Sequence, residues 1–280
     1  MKTLNVEELR SLAIGFGVPD EGQFRAFQQY YELTKRIMGK TGPIRILELG
    51  SGFSTALMAY CLGERSDVEI DTIDLSFETY EKAIKNSGIK VRDGLVNKFA
   101  GTTVTSEELK RFYDVFLEKC VFGISIHKLI AKSRFAEVVM DDRKFNYLSN
   151  RYGGGISQIT NRMLEDPVFL CNLLDYYSNF GSFGKELELV ERLPRVLTDE
   201  FCNRKWDVIY FDSGELSTNV ECIKLERSFN PGALIGFHDV YFPKSFKSWL
   251  PCAALTMSND WNVLYKDSST SQGMLIAERS

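Results

Sequence analysis

No two of the six cysteines (Cys61, Cys120, Cys171, Cys202, Cys222, Cys252) form a CxxC pair, which argues against a zinc knuckle or a thioredoxin-like dithiol. Scattered through 280 residues, they read as reduced, mostly buried thiols of a cytoplasmic protein. There is no basic excess either. A net charge of −4 offers nothing like the positive footprint of a nucleic-acid binder, so no nucleic-acid partner is expected. No apolar run approaches the roughly 18 residues that cross a bilayer, which removes the membrane as a partner. The opening stretch, MKTLNVEELRSLAIGFG, has no apolar segment ending in a small-residue cleavage site, so no signal peptide is expected. Histidine is nearly missing, with only His127 and His238, and there is no internal repeat or low-complexity tract. What remains is ordinary for a globular chain: 44% hydrophobic and 26% charged residues, at a length that buries a sizeable core.

Hydrophobic periodicity alternates between helix and strand at both ends of the chain. Phe24–Met38 has apolar residues at helical spacing, GKTG (39–42) breaks it, and IRILELG reads as a short buried strand. STALMAYCL follows as a helix and Val68–Ser76 as the next strand. Near the other end, LELVER (187–192) reads as a strand and a short helix follows Pro194. Trp206–Asp212 is a strand, STNVECIKLERSF a helix, and Pro231–Val240 a turn and a buried strand. A helical stretch around KSFKSWLPCAAL is interrupted by Pro251. The closing pair, WNVLYK and GMLIAER, is joined by so short a polar link that it must be an antiparallel hairpin. Between Asp74 and Trp206 lie 131 residues, and from Gly94 to Gly181 they read as mainly helical. The expected fold is therefore α/β: a three-layer, Rossmann-like, seven-stranded and mostly parallel sheet with a C-terminal antiparallel hairpin and a helical insertion. Residues 1–93 and 182–280 form the two halves of the sheet domain, with 94–181 as a cap or lid.

The first strand ends in Glu48, then Gly50 and Gly52 come two apart, and a helix begins at once. At the carboxyl end of a parallel strand, glycines permit a sharp turn and the close approach of a ligand. The helix start offers unpaired N–H groups. A carboxylate here sits badly beside a pyrophosphate but suits a ligand carrying a cation and hydroxyls; with no third glycine, this argues against NAD. Asp74 stands 22 positions beyond Gly52, where an acid can accept bonds from ribose hydroxyls. The plainer readings are a solvated strand-end acid for Glu48 and an N-cap before FETYEKAI for Asp74.

At these residues the chain resembles the class I S-adenosylmethionine-dependent methyltransferases, in particular the small-molecule O-methyltransferases. ELGSGFST, Asp74, WDVIYFD, NPGALIGFHDV and the closing hairpin stand in that family's order over roughly residues 24–90 and 185–280. The resemblance implies that Glu48, Gly50, Ser51 and Gly52 line the methionine and ribose parts of S-adenosylmethionine. It further implies that Asp74 binds the ribose and that Asp212 borders the cofactor. Asp212 and the His238–Asp239 pair each follow a buried strand, so they emerge at its carboxyl edge. Catechol-type and antibiotic-sugar O-methyltransferases place magnesium ligands at these two strand ends. Asp212 and Asp239 would then hold Mg²⁺, with His238 a ligand or a general base titrating near neutrality. Relatives read Asp-Gly-x-His after the fourth strand, whereas this chain reads DSGELST, where Glu215 is an alternative oxygen ligand. In the structural alternative, His238 and Asp239 cap the strand and bond each other.

These readings converge on a cytoplasmic S-adenosylmethionine-dependent methyltransferase acting on a hydroxyl of a small-molecule substrate. Two others stay open: transfer or cyclisation of the aminocarboxypropyl chain with release of methylthioadenosine, and a non-catalytic binding protein. His127 reads as an ordinary helical or surface residue. RYGGGIS (151–157) reads as a linker or lid hinge, and Tyr30, Tyr31, Tyr147, Tyr152, Tyr176 and Tyr177 as core or pocket aromatics. The acceptor and the oligomeric state, a homodimer among the options, are not legible.

Overall fold

A computed structural model describes residues 3–115, 120–121, 124–125, 183–214, 216–240, 247–267 and 273–280. Local chemistry starts the helices. Asn5 caps α1 (Val6–Phe16) in a capping box with Glu8, and Gly17, at φ 88°, ends it. Asp20 accepts from the Gln23 N–H to open α2 (Glu21–Met38), whose last turn carries Lys35 and Arg36 against the helix dipole. Strand β1 (Ile44–Leu49) leads into α3 (Phe53–Leu62), β2 (Val68–Asp74) into α4 (Glu78–Ser87), and β3 (Val96–Ala100) into α5 (Ser106–Val115). Thr105 and Glu108 form a second capping box before α5. A two-residue pair, β4 (Cys120–Val121) and β5 (Ile124–Ser125), is antiparallel. Then come α6 (Phe183–Arg192), α7 (Asp199–Asn203), β6 (Trp206–Phe211), α8 (Ser217–Leu225), β7 (Phe229–His238), α9 (Trp249–Met257), β8 (Trp261–Asp267) and β9 (Met274–Arg279).

Seven strands form one sheet in the order β3-β2-β1-β6-β7-β9-β8. The first five are parallel neighbours, and β9 runs antiparallel to both β7 and β8. The expected mostly parallel sheet and closing hairpin are both present. Period-2 alternation sends each central strand's side chains to two separate cores. Ile44 and Ile46 of β1 with Val208 and Tyr210 of β6 meet helices α1 to α4. Leu47 and Leu49 with Ile209 and Phe211 meet α5, α6, α8 and α9. Burying each such side chain stabilises by about 1.5–3 kcal/mol, so covering both faces is what holds the sheet.

Three local expectations change. Val96–Ala100, assigned to a helical insertion, is the edge strand β3 paired with β2. With three of its five residues only partly buried and two exposed, its apolar signal is too weak to announce a strand. LELVER lies in α6 rather than in a strand: Leu187 and Val190, three apart, both pack on the second core. Pro251 does not interrupt a helix but sits in the first turn of α9, where its missing N–H costs nothing. Elsewhere in the expected cap Ser106–Val115 is helical and 120–121 pairs with 124–125, while His127, RYGGGIS and the four tyrosines from 147 to 177 lie outside the described residues. No described helix is long and apolar enough to cross a membrane.

Candidate functional site

The sheet's connectivity reverses between β1 and β6: from β1 the chain builds outward through β2 and β3, then returns to place β6 on the other side. In such open sheets ligands bind in the crevice at the carboxyl ends of these strands. Here the turn after β1 is unusually close to the next strand. The Asp212 N–H donates to the Leu49 carbonyl at 2.7 Å, and the Gly50 N–H to the Ile73 carbonyl at 2.8 Å. Gly50 has φ 96°, and a Cβ there would lie 2.2 Å from the Asp212 carbonyl oxygen. Only glycine fits. Gly52 differs, because its φ of 176° is extended and an added Cβ would meet nothing nearer than the Thr79 methyl at 3.7 Å.

Glu48 does not line the crevice. It shares a strand face with Ile44 and Ile46, which points it under the turn toward α3, fully buried. There it accepts from Ser54 Oγ at 2.6 Å and Thr55 Oγ1 at 2.5 Å. Burial pushes its carboxyl up to about 7 despite those two hydroxyls. It is thus neither a solvated acid nor a wall of the cleft; it braces the start of α3. Ser51 donates its N–H to Asp74 Oδ2, tying the turn after β1 to the end of β2. Asp74 also accepts from the Ser76 N–H at 3.0 Å and is not the N-cap of α4, a position held by Phe77.

A cleft of about 460 Å³ opens at these strand ends, within the usual range for small-molecule sites. Gly50, Asp74, Asp212, Ser213 and Lys247 lie on its wall, with Thr102 and Thr103 after β3 and Glu186 of α6 opposite. Glu186 was not singled out in the sequence, and its role is clear only in space. It accepts from the Leu216 N–H at 3.2 Å, the Ser217 N–H at 2.9 Å and the Ser217 hydroxyl, so it caps α8 from α6. Beneath the wall, Glu221 accepts from Thr103 Oγ1 and, at 2.6 Å, from Ser213 Oγ. Burial raises it to about 7.

Asp212, His238 and Asp239 come together as expected, each offering a ligand atom within 4.8 Å of the others. His238 Nδ1 lies 3.4 Å from Asp212 and 3.3 Å from Asp239, and Tyr30 packs its ring 5.2 Å from the imidazole. Asp239 is the one described non-glycine residue with positive φ, at 58°, a strained placement of the kind found at functional sites. The unexpected member is Lys247. Its ammonium donates to Asp212 Oδ1 and, at 3.2 Å, to Asp239 Oδ2. Asn219 of α8 binds its carbonyl at 3.3 Å, holding the residue in place.

Burial by itself would raise both carboxylates, but the Lys247 ammonium and the His238 imidazole hold them below their usual range. Burial would likewise lower His238, yet the two carboxylates override it and lift the imidazole to about 9. The carboxylates thus favour the imidazolium, which moves His238 away from the ready base its ordinary titration range suggested. It is also absent from the cleft wall, and its Nε2 is buried with no partner among the described residues. In the sequence Lys247 is the second lysine of KSFKSWLPCAAL, a stretch read only as helical, and nothing marked it. Tyr31 belongs to the core, where its hydroxyl accepts from the Leu4 N–H at 2.5 Å. Cys61, Cys222 and Cys252 are buried and unpaired, the Cys61 thiol pushed up to about 12 by burial, so none is a ready nucleophile. Cys202 is half-buried and also raised. Glu215 and Cys171 lie outside the described residues.

No family model matches the chain, and no curated protein matches it in sequence. Among solved structures it is similar to the O-methyltransferase from Bacillus cereus in complex with SAH, at 12% identity and TM-score 0.45, over 100% of this chain and 92% of that one. The O-methyltransferase TomG from Streptomyces achromogenes, involved in tomaymycin synthesis and in complex with SAM, is similar at 12% identity and TM-score 0.42, over 100% and 91%. The ribosomal protein L11 methylase from Lactobacillus delbrueckii subsp. bulgaricus is similar at 11% identity and TM-score 0.41, over 92% and 80%.

Proposed function

We propose that this chain binds S-adenosylmethionine in the cleft at the β1–β6 switch point and is a methyltransferase acting on an oxygen of a small molecule. The observation that carries the reading is the joint placement of Gly50, Ser51 and Asp74. A strand-end glycine turn that tolerates no side chain opens directly beside a carboxylate fixed by the turn's own N–H. That carboxylate keeps lone pairs for a vicinal diol, which is how an acid at this spacing meets a ribose. Gly50 and Ser51 leave the backbone open to the ligand, and Gly52 is spared a side chain at the helix start.

Bound S-adenosylmethionine supplies an electrophilic methyl group on a sulfonium. The chain's own residues position and shield: Asp74 orients the ribose end, while Leu189 and Val190 of α6 form an apolar part of the wall. Lys247 and Asp212 border the acceptor side. The two carboxylates favour a protonated His238, which lies off the cleft wall, and Lys247 holds Asp212 below its usual range, so neither of these described groups is poised as a strong base. An acceptor acidic enough to ionise beside Lys247, such as a phenol or an enol, suits this wall better than an aliphatic alcohol.

The test is calorimetric titration with S-adenosylmethionine followed by mass analysis of mixtures with candidate acceptors. Binding should be saturable and should weaken at least about a hundredfold in Asp74→Ala, since two charge-assisted hydrogen bonds at about 1.5–3 kcal/mol each are lost. S-adenosylhomocysteine in the mixture supports methyl transfer. Methylthioadenosine would replace that reading with aminocarboxypropyl chemistry, binding without turnover would favour a regulatory binder, and no binding at all would refute the site.

A further inference from the structure

The Asp212–His238–Asp239 cluster has the donor set of a divalent-metal site, two carboxylates and an imidazole. Fitting an ion there meets one obstacle. The Lys247 Nζ already lies within hydrogen-bond reach of both carboxylates, occupying the space between them that Mg²⁺ would need at about 2.1 Å from each oxygen. Its side chain is only 7% exposed, so the ammonium is not a surface charge resting on the site by chance. Its main chain is also anchored: Asn219, itself buried in α8, holds the Lys247 carbonyl, and the next residue's N–H reaches the Asp239 carbonyl at 3.4 Å. A lysine so placed bonds both carboxylates and sheds its hydration once, on folding, whereas Mg²⁺ must dehydrate, reluctantly, each time it enters. The residues therefore do not fit the magnesium that the resemblance implied.

We propose that Lys247 is the built-in cation of this strand-end carboxylate pair, taking the place a divalent ion would occupy, so that the site works without metal. Tethering fixes the positive charge on the cleft wall at all metal concentrations. It is positioned to stabilise negative charge on an acceptor oxygen, as a bound ion would, but with hydrogen-bond donors in place of open coordination positions. That catalytic consequence rests on the methyltransferase reading. The occupancy itself does not, and its test uses neither cofactor nor acceptor.

The experiment is titration of the full chain with Mn²⁺ alone, followed by the loss of the free-ion electron paramagnetic resonance signal, with thermal unfolding in parallel. Wild type should show no saturable uptake and no metal-dependent rise in melting temperature at millimolar ion. Lys247→Met frees two carboxylates and should create a saturable Mn²⁺ site and an upward thermal shift. Lys247→Met/Asp239→Asn should lose both, and Lys247→Gln serves as the smaller change should the methionine variant fail to fold. Saturable wild-type binding that disappears in Asp239→Asn would overturn the proposal. So would folded Lys247 variants that take up no ion, because the carboxylates would then not be a site that lysine fills. Should S-adenosylmethionine fail to bind while these metal results hold, the cofactor reading falls and the occupancy stands.

Discussion

Glu48 gives the sharpest quantitative test of how this turn is built. An unfolded-chain glutamate releases its proton near 4.5, while the folded chain keeps it to about 7 because burial disfavours the carboxylate. Between those values the native state binds the extra proton. Stability is thus fully present below 4.5 and falls as pH rises toward about 7. At about 1.4 kcal/mol per pH unit, the span from 4.5 to about 7 is worth on the order of 3 kcal/mol. Glu221, raised in the same way, adds a slope of the same sign. His238 contributes stability that is lost only as pH rises from 6.5 to about 9, so measurements below 6.5 separate the acids from it. Urea unfolding across about pH 5 to 6.5 should show wild type losing stability, and Glu48→Gln should flatten the fall by about 2 kcal/mol. Glu48→Gln/Glu221→Gln should be nearly level. Parallel profiles for wild type and Glu48→Gln, or a wild-type stability that rises with pH in this window, would refute the reasoning.

Other perturbations separate geometry from chemistry. Gly50→Ala should cost about 3 kcal/mol or more and lower the melting temperature sharply, because the methyl collides with the Asp212 backbone and φ is positive. Gly52→Ala, extended and uncrowded, should stay within about 1 kcal/mol by the same assay. Glu186→Ala removes the cap of α8 and should cost about 1–2 kcal/mol, with hydrogen exchange quickening first at the amides of Leu216 and Ser217. Arg204→Met leaves Asp71, only 2% exposed, with the Asn97 amide as its remaining described partner in place of an ion pair. Because Arg204 is itself one-third exposed, a loss of about 1–2 kcal/mol in chemical denaturation is expected rather than the larger cost of a fully buried pair.

Much of the architecture was legible because it depends on local pattern. Short, mostly apolar stretches at 44–49, 206–211 and 233–238 mark the central strands, and a short polar link forces the closing pair to be antiparallel. Edge strand β3 was not legible, because one partner and half-exposed side chains leave it no apolar run. LELVER misled for a related reason. Six residues carry both periods, and only packing against the second core chose the helical one.

By itself the sequence determined the fold class, the place of the strand-end turn and the residues gathered there: Gly50, Ser51, Asp74, Asp212, His238 and Asp239. Periodicity, a property of neighbours along the chain, marked the strand ends, and the family resemblance implied which residues on them matter. Tertiary structure decided what those residues do. Strand parity turned Glu48 away from the cleft and, once buried, toward neutrality. A lysine eight positions past Asp239 folded back between the two carboxylates. That contact converts a metal-like constellation into a lysine-filled one, while the two carboxylates hold the His238 imidazole above its usual range. Burial and through-space charge set both outcomes, and neither is encoded in spacing.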